Sequence, residues 1–332
     1  MKTLQFFLPL FLLSGTAMAA DEITRHEPDK SSGVTFALEN DLFNGRDDGY
    51  TNGVRAAYMS PEDEMPYWLS STVNNIPFFA RDGHKRWHLE VGQSMFAPED
   101  LTISTLQTND RPYAGWLYGS VGVISDTGSR LDNLQLTLGM VGPASGAAEA
   151  QRIVHKIVGA PIPQGWGHQL NNEPGIMLTY ERKWRNMYEL TPFGMGVDIT
   201  PSMGGSVGNV YTHASVGAIA RIGYDLPSDY GPPVIRPNLP GSDFFKPSGN
   251  ISWYFFAGVE GWAVGHNIFL DGNSFTESHS VDKNLFVGGA QAGVAITYKS
   301  TRLAYTQIFR TREFEGQPRN DQFGALTLSV RY

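Results

Sequence analysis

The sequence predicts an all-β protein: a twelve-stranded antiparallel transmembrane β-barrel with a short helix in an extracellular loop. Three observations predict it. Segments of alternating apolar and polar residues recur along the chain, and no apolar run after the first twenty residues is long enough for a membrane-spanning helix. Glycine and aromatic residues are abundant, with 37 glycines and 12% aromatics. This combination is typical of barrels in the bacterial outer membrane, although composition alone also fits a secreted β-sandwich.

The last strand shows the alternation most plainly. Leu326, Leu328, Val330 and Tyr332 alternate with threonine, serine and arginine. One face of this strand is therefore apolar and ends on an aromatic residue, as a lipid-facing surface requires, while the other face is polar, as a lumen requires.

Twelve segments of the chain are predicted to be strands. They are residues 33–42, 50–59, 86–96, 112–124, 130–141, 175–186, 188–201, 207–224, 250–264, 284–298, 301–312 and 322–332. Tight turns are expected at Arg185-Asn186-Met187, at residues 125–129 and at Lys299-Ser300. An even number of strands allows a closed antiparallel barrel, and closure satisfies every backbone hydrogen-bonding group within the bilayer.

The first twenty residues, the absence of cysteine and the net charge restrict the location and the possible partners of the protein. Residues 1–20 have a positive start, a short apolar run and a small-residue cleavage site, which predicts a signal peptide and leaves residues 21–332 as the barrel. The chain has no cysteine, which excludes a disulfide scaffold, and a net charge of −8, which argues against nucleic acid as a partner. We expect a monomer embedded in the membrane.

Residues 142–175 are the one stretch with a helical pattern. Ser145 is a candidate N-cap, Gly159 a candidate C-cap, and Pro161 blocks continuation of the helix. Gln151 and His155 are four residues apart and share one face. With periplasmic termini, this helix lies in the third extracellular connection.

Polar clusters converge on the same extracellular end. They are Glu39-Asn40-Asp41, Asp47 to Gly53, Gly92-Gln93-Ser94 and Asp110 to Trp116. Sequential strands of a meander are neighbours, so these clusters should be adjacent. By alternation Asn40 falls on the apolar side of its strand, and we expect a bulge to turn it inward. The connection at residues 60–85, with Tyr67-Trp68-Leu69, is expected to hold a small interfacial helix.

Several polar residues have simpler interpretations. Asn40-Asp41 and Asp47-Asp48-Gly49 are also typical turn sequences. Asp110 and Arg111 are expected to form an ion pair at the rim. His213 and Ser215 resemble part of a serine-hydrolase pair, but an isolated pair on a strand usually lines the lumen.

Four strings carry a family resemblance: ALENDLF, DGYTNG, DRPYAGWLY and VGPASGAAEAQRIVHKIVGAPIPQGW. They resemble the outer-membrane lipid A 3′-O-deacylase family (LpxR-like), and the resemblance extends over the mature chain. It implies a hydrolase that removes an ester-linked 3′ acyloxyacyl group from lipid A, within lipopolysaccharide of the bacterial outer membrane, with Ca²⁺ as the favoured ion.

The resemblance also implies the site residues. Asn40, Asp41, Thr51, Gln151 and His155 match the family's catalytic positions. The family pattern can place a glutamate six residues after the histidine, where this chain has proline.

Glu173 is the nearest acid downstream in that loop. We therefore expect Asp41 and Glu173 as metal ligands.

The chemistry of these residue types agrees with ester hydrolysis. His155 can act as a general base near neutral pH. Asp41 with an Asn40 or backbone oxygen suits a hard cation, and Thr51 and Gln151 can donate hydrogen bonds or orient water. The alternative from another class is a non-enzymatic barrel, a small porin or an adhesin, and a porin requires an open lumen.

Overall fold

Twelve strands, three short α-helices and two 3₁₀ turns make up the regular structure in the part of the chain that the computed structural model describes. The described residues are 28–40, 49–77, 79–185, 191, 195–227, 229–231, 245–247 and 249–332, with the backbone alone at residues 49–51 and 158. The predicted signal peptide, residues 1–20, lies outside them.

The strands follow the chain in order. They are β1 Gly33–Asn40, β2 Gly49–Met59, β3 His84–Ala97, β4 Ala114–Asp126, β5 Arg130–Val141, β6 Glu173–Trp184, β7 Gly196–Gly208, β8 Tyr211–Tyr224, β9 Ile251–Asn267, β10 Phe286–Tyr298, β11 Thr301–Arg310 and β12 Asp321–Arg331. The helices are α1 Tyr67–Asn74, α2 Ala147–Val158 and α3 Ile268–Asp271.

Each strand pairs antiparallel with its neighbours in sequence, and the first strand closes the ring against the last. β1 and β12 pair from Gly33–Arg331 to Asn40–Gly324. The predicted closed antiparallel barrel of twelve strands is therefore confirmed. Closure leaves no unpaired strand edge, which a membrane-spanning sheet cannot tolerate.

The residue just before the first strand and the residue just after the last strand lie together at one end of the barrel. The Ser32 amide donates to the Tyr332 carbonyl oxygen at 3.0 Å. Two of the predicted tight turns, at residues 127–129 and 299–300, lie at this same end. We call it the terminal end and assign it to the periplasm; the opposite, loop end carries the longest connection, residues 142–172.

The seventh strand differs from its prediction. Residues 202–206 were expected to be a loop, yet they pair with β6 and β8 inside β7. Glycine marks close strand approach here, because a Cβ at Gly204 would lie 2.8 Å from the Tyr180 carbonyl oxygen and one at Gly205 2.6 Å from that of His213. The predicted tight turn at Arg185-Asn186-Met187 falls largely outside the described residues; β6 ends at Trp184 and β7 begins at Gly196.

The wall is apolar outside and polar inside. On β12, Leu326, Leu328 and Val330 are exposed on the outer face, whereas Thr327 and Ser329 are buried towards the lumen. The same alternation recurs around the ring, and an apolar outer band is what a bilayer solvates. No helix of the described residues is long and apolar enough to cross a membrane.

Helix α1 confirms that the connection between β2 and β3 contains a short helix; its interfacial position stays a prediction. Its first two side chains, Tyr67 and Trp68, are 86% and 64% exposed. Aromatic side chains with one polar end are favoured at the headgroup level of a membrane. Their exposure at the terminal end therefore fits a position at the inner interface.

Buried ion pairs fill the lumen at the terminal end. Asp229, on the connection after β8, bonds the guanidinium groups of Arg221 and Arg302, the latter at 2.6 Å. Asp198 accepts a further bond from Arg221 at 2.8 Å. All of these side chains are almost fully buried, so Asp229 of the connection after β8 lies inside the barrel wall.

A second buried charge cluster fills the loop end. Glu313 accepts from Arg111 at 2.7 Å and from Arg310 at 3.3 Å. Burial alone raises the pKa of Glu313, but the two guanidinium groups outweigh burial and hold that pKa well below its usual range. The predicted Asp110–Arg111 side-chain pair is wrong, because Asp110 accepts from the backbone amides of Glu99 and Arg111 instead. Paired buried charges therefore lie at both ends of the barrel wall.

We predict that Asp229→Asn destabilises the barrel strongly. The change leaves two buried guanidinium groups without their shared countercharge, a loss of about 3–5 kcal/mol. Asp82→Asn is the matched control, because Asp82 is highly exposed and lies 3.9 Å from Arg130; we expect a change below about 0.5 kcal/mol there. Urea unfolding in micelles measures both, and equal stability of the two variants would contradict the prediction.

Candidate active site between a loop helix and the outer wall

The N-cap of helix α2 is Gly146, one residue after the predicted N-cap, Ser145. Gly146 has the left-handed conformation, with φ +70°. The Ser145 hydroxyl donates to the Gly142 carbonyl oxygen at 2.6 Å, within a short 3₁₀ turn at Pro143–Ser145, and accepts a long bond of 3.4 Å from the Ala147 amide. The C-cap agrees with the prediction, since Gly159 is left-handed with φ +73°.

The start of α2 lies against the outside of the barrel wall. Gly115 and Gln93 fall on the same outer faces of β4 and β3 as the exposed Leu117 and Val91. The Gln93 amide Nε2 donates to the Ser145 carbonyl oxygen at 2.7 Å. A Cβ at Gly115 would lie 2.1 Å from the Ser145 Oγ, so only glycine lets the helix approach this closely.

The two faces of α2 have the opposite character to a soluble helix. Ala147, Gln151 and His155 share the buried face, and none is more than 2% exposed. Ile153 and Ile157 are 49% and 78% exposed. A helix that hides a glutamine and a histidine and exposes isoleucines is suited to a functional polar cleft and an apolar surrounding.

The loop after α2 holds both polar side chains in place. The His155 Nδ1 lies 2.6 Å from the Pro161 carbonyl oxygen, which can only accept a hydrogen bond. The proton is therefore on Nδ1, and Nε2 carries the basic lone pair. The Gln151 Oε1 accepts from the Trp166 indole N–H at 2.7 Å, and Trp166 packs on Tyr113 with ring centres 5.0 Å apart.

One donor of this face is left without a partner. The Gln151 Nε2 is buried and has no hydrogen-bond acceptor among the described residues. An unsatisfied buried amide is costly, of order 1–3 kcal/mol, and such groups cluster where a ligand completes the set. Gln151 is therefore oriented by Trp166 with its amide N–H groups ready for an acceptor such as an ester or water oxygen.

A row of wall residues continues from the helix contact along the rim. Asn40 pairs with Asn52, Asn52 with Met95, and Met95 with Gly115. The pairing of β1 runs without a bulge to Asn40, so the predicted inward turn of Asn40 is wrong and this residue stays on the outer face. The buried Asn52 Oδ1 has no donor among the described residues, which adds an open acceptor to the same face.

The two remaining predicted catalytic residues are described less fully. Asp41 directly follows Asn40 and lies outside the described residues. Thr51 is the extra residue of a bulge in β2, where the pairing with β3 shifts between Tyr50 and Asn52. Bulges re-aim side chains and are frequent beside active sites, so the backbone at Thr51 is consistent with a site position.

Glu173 lies in a different setting from the α2 residues. It begins β6 and accepts hydrogen bonds from Asn209 at 2.9 Å, from Asn273 at 3.1 Å and from the Ser274 backbone amide at 2.8 Å. These contacts tie three connections of the loop end together. They give Glu173 a structural task, and its role as a metal ligand stays a prediction.

The donor chemistry of the wall row fits a hard cation. No group of three or more histidine, cysteine, aspartate or glutamate side chains is gathered for a metal among the described residues. The oxygens on the outer face are the amides of Asn40 and Asn52, and the carboxylate of Asp41 follows in sequence. Oxygen ligands, with an unsatisfied Oδ1 at Asn52, suit Ca²⁺ rather than zinc.

The histidine and serine noted in the sequence as a possible hydrolase pair, His213 and Ser215, line the lumen. His213 Nδ1 lies 2.8 Å from the Ser206 Oγ, not from Ser215, and all three side chains are buried inside the wall. Nothing in this pair reaches the outer face where α2 lies, so it belongs to the polar packing of the barrel.

Sequence reasoning missed four contributors to the site. They are Asn52, Gln93, Gly115 and Trp166. Each lies within a segment already noted in the sequence. Its role depends on whether the helix lies inside or outside the wall, and the alternation of residues within one strand does not predict the position of the helix. The position of Gly115 between two aromatic residues in PYAGWLY was the available signal of close approach.

Comparison with known proteins places the chain in a family. A family model described as outer membrane protein LpxR matches residues 6–332. LpxR from Salmonella typhimurium is similar in structure, with a TM-score of 0.73 at 19% identity over 90% of this chain and 99% of that one. The β domain of the Bordetella autotransporter BrkA has a TM-score of 0.42 at 10% identity over 92% and 98%.

A comparison with curated protein sequences gives no match. The family model nonetheless spans almost the whole chain, and the fold agrees with it over the full ring of strands. This barrel belongs to the LpxR family of bacterial outer membrane proteins.

Proposed function

We propose that the protein hydrolyses the ester that links the 3′ acyloxyacyl group to lipid A in the outer leaflet. Family membership supports action on lipid A. The observation that carries the proposal is the position of His155 and Gln151: they are buried on the inner face of a helix that lies on the outside of the wall, on the membrane side of the barrel rather than in its lumen. A lipid substrate reaches this side of the barrel directly.

His155 is the general base in this mechanism. The Pro161 carbonyl oxygen keeps the proton on Nδ1, so Nε2 takes a proton from water as that water attacks the ester carbonyl. The imidazolium that forms is stabilised by the same carbonyl oxygen. Proton return from Nε2 to the leaving sugar oxygen completes hydrolysis.

Gln151 and the rim residues stabilise the developing charge. The Trp166 indole N–H holds the Gln151 carbonyl oxygen, which directs the unsatisfied Nε2 away from the helix. That N–H is placed to donate to an oxyanion or to orient water, with Thr51 as a second donor.

Asn40, Asn52 and Asp41 would hold Ca²⁺. When bound, this ion supplies positive charge near the ester carbonyl.

The direct test is mass spectrometry of lipid A from cells with and without the protein. We expect a mass loss equal to the 3′ acyloxyacyl group only when the protein is present. Lipid A of unchanged mass in cells that contain folded barrel would overturn the proposal. Ion conductance in planar bilayers with unchanged lipid A would support the porin alternative.

We predict that His155→Ala lowers the rate of ester hydrolysis by at least about 10²-fold, the usual contribution of a general base. The barrel should still fold, because the side chain lies on a loop helix outside the wall. Lys156→Gln is the control, since Lys156 is the exposed neighbour on the same helix. Fatty-acid release from lipid A in micelles is the measurement, and retention of more than a tenth of the activity in His155→Ala would remove the histidine from this role.

We also predict that activity requires Ca²⁺ and that Asp41→Asn raises the Ca²⁺ concentration needed for half-maximal activity. The physical reason is the loss of one charged oxygen ligand. Glu173→Gln tests the second predicted ligand. A glutamine keeps one of the two accepting oxygens, so the contacts with Asn209, Asn273 and Ser274 are weakened, but the Ca²⁺ requirement changes only if Glu173 itself binds the ion. Full activity in excess chelator would show that the ion is dispensable, and a changed requirement in Glu173→Gln would make that residue a ligand.

A further inference from the structure

An apolar groove lies on the outer wall below helix α2. It has a volume of about 640 Å³ and crosses strands β1 to β5. Its floor is formed at the two smallest outward positions, Ala56 and Gly119, and larger outward side chains flank it. These flanking residues are Tyr58, Leu89, Leu136 and Leu138.

The groove shares its face and its strands with the candidate active site. Asn40 and Phe36 are four residues apart on the outer face of β1, about 13 Å at the usual rise of a strand. Phe36 pairs with Ala56, Ala56 with Val91, and Val91 with Gly119. The row through the groove floor thus runs parallel to the row through Asn40. Both rows lie on the outer face, and the row through the groove floor is closer to the terminal end and to the centre of the membrane.

The surface between the two rows is aliphatic except at Gln93. Leu38, Val54 and Leu117 are 39%, 47% and 41% exposed on the outer face. Gln93 lies between Val54 and Leu117, and its amide donates to the Ser145 carbonyl oxygen. An extended acyl chain that continues from an ester beneath α2 along Leu38 and Val54 meets hydrocarbon side chains on its way to the groove. Acyl chains of the outer leaflet run in this direction, from the headgroup level towards the membrane centre.

We propose that this groove binds an acyl chain of the substrate and sets the chain length that the enzyme prefers. The inference rests on the proposed lipid A hydrolysis and adds a binding site to it. The small residues at positions 56 and 119 leave the room for the distal part of a long chain. A shorter chain ends above them and gains nothing from the groove.

Gly119 allows a clean test because the backbone there tolerates a side chain. An added Cβ would meet only the Glu90 carbonyl oxygen, at an ordinary 3.8 Å. Gly119→Leu therefore fills the groove without disturbing the wall. Gly261→Leu is the matched control: Gly261 lies on the outer face of β9, five strands away, and an added Cβ there meets no atom within 4 Å.

The experiment compares hydrolysis of lipid A species that differ only in the length of the 3′ chains. Purified full-length barrel in mixed micelles is assayed by mass spectrometry, and folding is checked by heat-modifiable migration. We expect Gly119→Leu to lower kcat/KM for the long-chain species by about tenfold or more, the scale of discrimination that a filled hydrophobic pocket gives. The short-chain species and Gly261→Leu should match the unsubstituted protein.

The outcomes separate the two proposals. If the unsubstituted protein releases no fatty acid from any species, the proposed function fails and the groove inference with it. If it hydrolyses lipid A but Gly119→Leu keeps the same chain-length profile, the groove holds only bulk membrane lipid and this inference alone is overturned. Ala56→Leu, which fills the groove from β2, is the second variant should Gly119→Leu not fold.

Discussion

The close contact between helix α2 and Gly115 is the constraint on which the candidate site depends. A Cβ at this position would overlap the Ser145 hydroxyl and the Ala147 side chain, at 2.1 and 2.3 Å. The helix can therefore lie flat on the outer wall only because strand β4 carries no side chain there. The same contact directs the face with Gln151 and His155 away from water, and the loop from Pro161 to Trp166 then fixes both side chains.

The lumen contains paired charges rather than the candidate site. At each end of the barrel, buried acids and arginines form ion pairs within one cluster, the Asp229 cluster at the terminal end and the Glu313 cluster at the loop end. Such networks are costly to assemble, and the loss of one partner leaves an uncompensated buried charge. The groups of Gln151 and Asn52 that have no hydrogen-bond partner among the described residues lie on the outer side of the wall, beside the candidate site. This open donor and this open acceptor provide binding capacity on the membrane side of the barrel.

The strand pattern predicted most of the fold, and the failures have physical causes. Alternation located eleven strands to within a few residues, because an apolar face beside a polar face admits one register. It misplaced β7, where Gly204 and Gly205 serve close backbone approach rather than a turn. Alternation also placed Asn40 correctly on the apolar side; the error was to expect a bulge that would move it. Helix α2 lies on the outer face of the wall, which is also the face of Asn40.

The two faces of α2 explain why such a site can exist in a membrane protein at all. Ile153 and Ile157 would be a liability in water, but hydrocarbon of the outer leaflet is a favourable surrounding for them. The buried polar face is then enclosed by helix, loop and wall, where hydrogen bonds to a reacting ester are strong because water is scarce. A soluble hydrolase must draw a lipid out of the bilayer to reach comparable surroundings. In the proposed reaction the isoleucines lie within the leaflet, and the acyl chains of the lipid stay in hydrocarbon while its ester enters the polar cleft.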